Sequence, residues 1–173
     1  MDHTTLQERT IPNAEWMRKS VFRLFAFGFG TGLIKKAPGT WGSLLGWFSW
    51  LIIAHIIGND IVQAVIILLG FAFGIYVCQR TSNELGVTDH GGIVWDEIVA
   101  MWLVFFVMLS PNMSFLWQLV AFVIFRFFDI IKPWPIHYFD EHFKNGFGVM
   151  WDDIIVAVYT LFVMAIAVRF LGV

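Results

Sequence analysis

The stretch 61-IVQAVIILLGFAFGIYVC-78 runs for eighteen residues without a charged side chain. A helix needs about 20 predominantly apolar residues to cross the roughly 30 Å hydrocarbon layer of a bilayer, so this run reads as a membrane span. Working outward, Leu44–Ile57 precedes it, and Glu97–Leu109, Phe115–Ile131 and Ile154–Leu171 follow. Five crossings are expected, or four if the third and fourth segments form a bent or incomplete pair. The fold class is therefore all-α: a polytopic membrane helix bundle of four to five hydrophobic helices with polar loops on the cytoplasmic side. Composition agrees. The 173 residues are 58% hydrophobic and 14% charged, against about 25% charged in a soluble domain. The nineteen Phe and nine Trp suit a chain with aromatic belts at both interfaces.

The length fits one domain, with residues 1–20 as a polar tail and 21–173 as the membrane-embedded part that carries the chemistry. The tail lacks the basic-then-apolar order of a secretory signal. Val21–Leu33 is apolar but holds Gly28, Gly30 and Gly32, which suits an interfacial or re-entrant segment better than a span. Cys78 is the single cysteine. It cannot form an intramolecular disulfide, no zinc spacing exists, and it reads as a packing residue.

Orientation follows from Lys and Arg. Arg9, Arg18, Lys19, Arg23, Lys35 and Lys36 precede the first span, and five crossings put Arg80, Lys132 and Lys144 on the same side. Arg169 alone lies near the other face. The positive-inside rule places the rich side in the cytoplasm. Glu84, Asp89, Asp96, Glu97, Asp129, Asp140, Glu141, Asp152 and Asp153 fall on that side too. Carboxylates do not set topology, so their clustering needs another cause.

That cause is read as chemistry. Asp96-Glu97 opens the third segment, Asp129 closes the fourth, and Asp152-Asp153 opens the fifth, each flanked by apolar residues. An acid at a helix N-terminus is ordinary capping, worth about 0.3–1 kcal/mol. Capping explains neither paired acids nor Asp129 at a C-terminal end. A shared site for a hard cation explains both, and oxygen-only ligands suit Mg²⁺. Asp96, Glu97, Asp129, Asp152 and Asp153 are the candidate catalytic residues. Asp96, Asp129 and Asp153 are the preferred metal ligands, since one acid from each helix end lets three helices converge on one ion.

The turn Lys35-Lys36-Ala37-Pro38-Gly39-Thr40-Trp41-Gly42-Ser43 is the second constellation. Glycines expose backbone N–H groups and the helix that follows presents its positive end, which together favour an anion. Lys35, Lys36, Thr40 and Ser43 are therefore candidate phosphate binders. Arg126, three residues before Asp129 on the same helical face, suits either an ion pair or a bidentate clamp on phosphate. Lys132, just after that helix, joins the phosphate-binding set. Glu84, Asp89 and His90 are expected to support the ligands from behind or to move protons. His137 and His142 read as a solvated surface.

With those residues laid out, the chain resembles the phosphatidylglycerophosphatase A family of bacterial inner-membrane lipid phosphatases. The matching stretches are Ala37–Ser43, Asp89–Ala100, Phe125–Pro135 and Gly146–Asp153. They are spread over about two-thirds of the chain in the family's order. The resemblance implies Mg²⁺-dependent removal of the terminal phosphate of phosphatidylglycerophosphate, an anionic phospholipid, giving phosphatidylglycerol at the cytoplasmic face of the bacterial inner membrane. No nucleic acid or protein partner is implied. Direct attack by water and a phospho-aspartate intermediate both stay open. The alternative from another class is a small membrane ion transporter or channel, but such paths place polar groups near the midplane, and the spans here are nearly free of them.

Overall fold

The computed structural model describes residues 11–88, 90–108 and 113–171, and every regular element among them is helical. Two short helices come first, α1 (Ala14–Arg18) and α2 (Val21–Ala26), followed by a 3-10 segment at Gly28–Leu33. The longer helices are α3 (Pro38–Ile56), α4 (Asp60–Leu85), α5 (Trp95–Met108), α6 (Phe115–Ile131) and α8 (Gly146–Leu171), with the short α7 (Ile136–His142) between the last two.

Local chemistry sets the ends of α4. The Asn59 side chain accepts from the amides of Ile61 and Val62 at 3.0 and 3.1 Å, which satisfies two of the donors a helix start leaves open. Gly86 closes the helix in the left-handed conformation, φ 66°, where a residue without Cβ is the usual choice. Helix α4 thus outlasts the apolar run by seven residues (79–85), so Arg80 and Glu84 stand on a helix.

Helix α5 is the centre of the bundle. Ile98, Val99, Ala100, Met101, Val104 and Phe105 are all buried, and α3, α4 and α8 pack around it. The outer faces of α4 and α8 remain apolar, with Leu68, Leu69 and Phe162 about two-thirds exposed. Three buried indoles each find a partner on another helix. Trp95 donates to the Gly70 carbonyl at 3.0 Å, Trp102 to Ser49 at 2.9 Å and Trp47 to Gln118 at 2.9 Å. These bonds fix the register of α5 on α4, α5 on α3, and α3 on α6.

Two helices, α4 and α8, are both long and apolar enough to cross a bilayer alone. Helices α3, α5 and α6 have 19, 14 and 17 residues. Of the four to five crossings expected, two are therefore matched by helices that meet this measure among the described residues.

The first turn of α3 departs from expectation. Lys35–Ser43 was expected to be a polar turn, but the helix starts at Pro38, directly after Ala37 in a left-handed conformation (φ 52°). Proline at the first helical position loses no hydrogen bond, because that amide has no intrahelical acceptor. The glycines then form a face. Gly39, Gly42 and Gly46 are buried, and they lie against Glu97, Val94 and Ile98 of the α5 region. Likewise α8 begins at Gly146, so Asp152 and Asp153 sit a second turn inside it instead of opening it.

A Cβ on Gly46 would lie 2.8 Å from the Ile98 carbonyl oxygen and 2.9 Å from its Cα, both backbone atoms. Gly46→Val is expected to cost about 1–3 kcal/mol, the usual penalty for overpacking. Gly58→Ala, with nothing within 4 Å, is expected to stay within about 0.5 kcal/mol of the parent. Thermal denaturation of both variants in detergent checks the pair, and equal stabilities would contradict the close approach of α3 to α5.

Candidate active site

Three helices, α5, α6 and α8, bring charged side chains to one end of the bundle, where the first turns of α3 join them. Helix α5 supplies Asp96 and Glu97, and α8 supplies Asp152 and Asp153. Helix α6 supplies Arg126 and Asp129, with Lys132 at its C-cap, and α3 supplies Gly39 and Ser43. Asp96, Asp152 and Asp153 are buried, and the Arg126, Glu97 and Asp129 side chains are each only about an eighth exposed.

The carboxylates divide into two kinds. Asp129 and Asp152 each hold a cation: Asp129 Oδ2 lies 2.7 Å from Arg126 Nη1, and Asp152 Oδ2 lies 2.8 Å from Lys132 Nζ. Asp152 Oδ1 also accepts the backbone amide of Asp153 at 3.0 Å. The remaining three converge. Each of Asp96, Glu97 and Asp153 offers an oxygen within 4.8 Å of the others. Asp96 Oδ1, Glu97 Oε2 and Asp153 Oδ2 are buried and have no hydrogen-bond partner among the described residues. Buried polar atoms are nearly always satisfied, so three converging carboxylates that each carry an unpartnered oxygen form a set that fits a hard cation. The expected trio was Asp96, Asp129 and Asp153. The converging trio has Glu97 in the place of Asp129, because Asp129 is engaged by the arginine one helical turn before it.

Arg126 joins the two halves of the site. Its Nη1 reaches Asp129, donates to Ser43 Oγ at 3.1 Å and lies 3.8 Å from Glu97 Oε1. Its Nε is buried with no partner among the described residues. Gly39 lies against this arrangement, since a Cβ there would overlap Glu97 Oε1 and stand 3.2 Å from Arg126 Nη1 and Nη2. The N-terminus of α3, which has no side-chain cap, therefore comes up beside the guanidinium. An uncapped helix start beside an arginine is a place for an anion.

Other expected residues fall elsewhere or contribute differently. Glu84 accepts from Arg23 at 2.7 Å and Arg80 at 3.3 Å, which ties α2 to α4. The Nδ1 of His90 accepts the Gly92 amide at 3.0 Å, and its ring leans toward Phe27, so these contacts shape the turn before α5. Lys35 and Lys36 are exposed ahead of α3, and Thr40 is half-buried in its first turn. Asp89 lies outside the described residues. Gly39 was missed as an individual residue. The 39-42-46 spacing of glycines, one face of a helix, was the signal that could have found it.

Comparison with known proteins meets this geometry directly. The family model described as phosphatidylglycerophosphatase A matches residues 24–168. The chain belongs to the phosphatidylglycerophosphatase A family. It is 49% identical over 141 residues to the phosphatidylglycerophosphatase A of Haemophilus influenzae, covering 82% of this chain and 85% of that one. To the Escherichia coli protein of the same name it is 40% identical over 137 residues, covering 79% and 77%. A Bacteroides thetaiotaomicron protein provisionally named a phosphatidylinositol-3-phosphatase is 32% identical over 148 residues, covering 83% and 91%. No solved structure matches the chain. Family membership makes this phosphatidylglycerophosphatase A homologue a phosphoric monoester hydrolase and sets aside the transporter alternative.

The contact at Gly39 yields a test. Gly39→Ala places a methyl group between the α3 start and the Glu97–Arg126 pair. Displacing either side chain by about 1 Å is expected to lower turnover by roughly 10²-fold, with the protein still folded. Phosphate release per folded molecule, beside a melting curve, checks it. Unaltered turnover would remove the α3 start from the site.

Proposed function

We propose that this chain is a Mg²⁺-dependent lipid phosphatase that hydrolyses the terminal phosphomonoester of phosphatidylglycerophosphate to phosphatidylglycerol and phosphate. One observation carries the reading: three carboxylates with unpartnered oxygens, two buried and one nearly so, converge beside an arginine and an uncapped helix start. The names of the Haemophilus and Escherichia relatives supply the substrate. The Bacteroides relative is named for a different lipid phosphomonoester, so the shared chemistry is the monoester on a lipid headgroup.

Asp96, Glu97 and Asp153 would hold the metal, which when bound supplies Lewis-acid polarisation of the phosphoryl group and an activated water. The chain's own groups do the rest. Arg126 binds phosphate oxygens through the donors that Asp129 and Ser43 leave open, a clamp that matches the planar array of a phosphoryl face. Lys132 and the positive end of α3 add charge where negative charge grows in the transition state. Asp129 and Asp152 hold the two cations in place. In the overall reaction a water oxygen bonds to phosphorus, the bond from phosphorus to the glycerol oxygen breaks, and that oxygen leaves as an alcohol.

The setting belongs to the same proposal. The chain is a multi-pass protein of the bacterial cytoplasmic membrane, with the site facing the cytoplasm. The apolar outer surfaces of α4 and α8 support embedding, and the one-sided Lys and Arg distribution supports the orientation.

Purified protein in detergent should release phosphate from phosphatidylglycerophosphate with Mg²⁺, stop with excess chelator and resume when Mg²⁺ returns. Asp96→Asn, Glu97→Gln and Asp153→Asn should each lower the rate by orders of magnitude and raise the Mg²⁺ concentration needed. Asp129→Asn should also lower the rate, with an unchanged Mg²⁺ requirement, because it acts through Arg126. Full activity in excess chelator sinks the metal, and inactivity on this lipid sinks the substrate.

Orientation has its own measurement. In a Cys78→Ser background, single cysteines at the exposed positions Lys36 and Asn145 should react with a membrane-impermeant maleimide only after the inner face is opened. Labelling from the periplasmic side would reverse the orientation.

A further inference from the structure

We infer that Ser43 is a positioning residue for the Arg126 guanidinium rather than a phosphate ligand; this inference rests on the proposed phosphate clamp. The hydroxyl group is fully buried, on the second turn of α3. It donates its one hydrogen to the Gly39 carbonyl at 2.8 Å and accepts from Arg126 Nη1 at 3.1 Å. The ionised oxygens of a phosphomonoester take hydrogen bonds and give none, so a ligand to them must bring a donor. The Ser43 donor is already committed, and its lone pairs face the arginine.

The consequence is geometric. Arg126 rises from α6, and its fork would be free to swing if only Asp129, on its own helix, held it. Ser43 anchors the same nitrogen to α3, 83 residues away in sequence. Because Ser43 bonds back to Gly39, the anchor is tied to the turn of α3 that lies against Glu97 and Arg126. The arginine is thus held in register with the helix start that shares its anion. Hydrogen bonds to charged groups carry enough energy that losing this one should cost roughly tenfold in catalytic efficiency.

The test is a double-mutant cycle on kcat and KM for phosphatidylglycerophosphate, with inhibition by inorganic phosphate as a second readout. Ser43→Ala alone should lower kcat/KM about tenfold and weaken phosphate inhibition, while the melting temperature and the Mg²⁺ requirement stay near the parent's. In an Arg126→Lys background, which keeps the charge and loses the fork, Ser43→Ala should cost little more. An equal loss in both backgrounds would mean that Ser43 acts independently of Arg126, and would overturn the proposal. Parental activity in Ser43→Ala beside a crippled Arg126→Lys would also overturn it and leave the clamp standing. Parental activity in Arg126→Lys itself would remove the clamp, and the proposal with it. If Ser43→Ala fails to fold, Ser43→Cys keeps the size and weakens the acceptor. That variant should show the same coupled loss, and parental activity in it would overturn the proposal.

Discussion

Helices α3 and α5 meet along a glycine face of α3, with no room for a Cβ at Gly39, Gly42 or Gly46. Much else depends on that approach. It lets Trp102 reach Ser49 across the helix pair and seats α5 where it is buried on nearly every side. It also brings the first turn of α3 to Glu97 and Arg126, so one packing constraint builds the core and the floor of the site. Between apolar helices in lipid, close approach through small residues is a principal source of affinity, because the surroundings offer no hydrophobic drive. A fold held this way tolerates little change along one narrow stripe.

The charges follow a second constraint. Five carboxylates and two cations lie together among the helices, and burying charge is costly unless it is matched. Arg126 and Lys132 match Asp129 and Asp152 at close range, and Asp96, Glu97 and Asp153 each keep an unpartnered oxygen. On the proposed reading a divalent ion offsets that excess, and the phosphate is then drawn by the ion, the arginine and the helix start together. Asp129 and Asp152 are as necessary as the trio in this view, because without them each cation would turn toward the cluster.

Much of this was legible from residues alone. The run at 61–78 announced α4, and the apolar flanks of Asp96, Glu97, Asp129, Asp152 and Asp153 announced acids placed where acids are expensive. The division between them was not legible, since it depends on Arg126 folding back on Asp129 and on Glu97 turning toward Asp153. Spacing suggested the first contact, but nothing in the chain gives the second. The start of α3 was read as a turn because proline and glycine usually punctuate loops. Here proline occupies the one helical position that tolerates it, and the glycines are a contact surface. The apolar run stops at Cys78 and gives no sign that the helix goes on to Glu84, yet it continues on the strength of its Gly86 cap and the Arg23 and Arg80 pairs.

The position of α5 along α4 sets how the enzyme meets its substrate. Trp95 bonds to the Gly70 carbonyl and its ring lies against Gly74, so the carboxylates begin level with the middle of α4. Eleven further residues, 75–85, carry α4 about 16 Å past that level. The acidic cluster is therefore recessed relative to the end of α4, with α2 fastened to the upper part of that helix through Arg23 and Glu84. On the proposed reading, a substrate lipid held in a leaflet would reach such a centre by sliding sideways, without its acyl chains leaving the hydrocarbon. The concentration governing its rate would then be the mole fraction of substrate in the leaflet, and diluting the surface with inert lipid would slow the enzyme even when the total amount of substrate is unchanged.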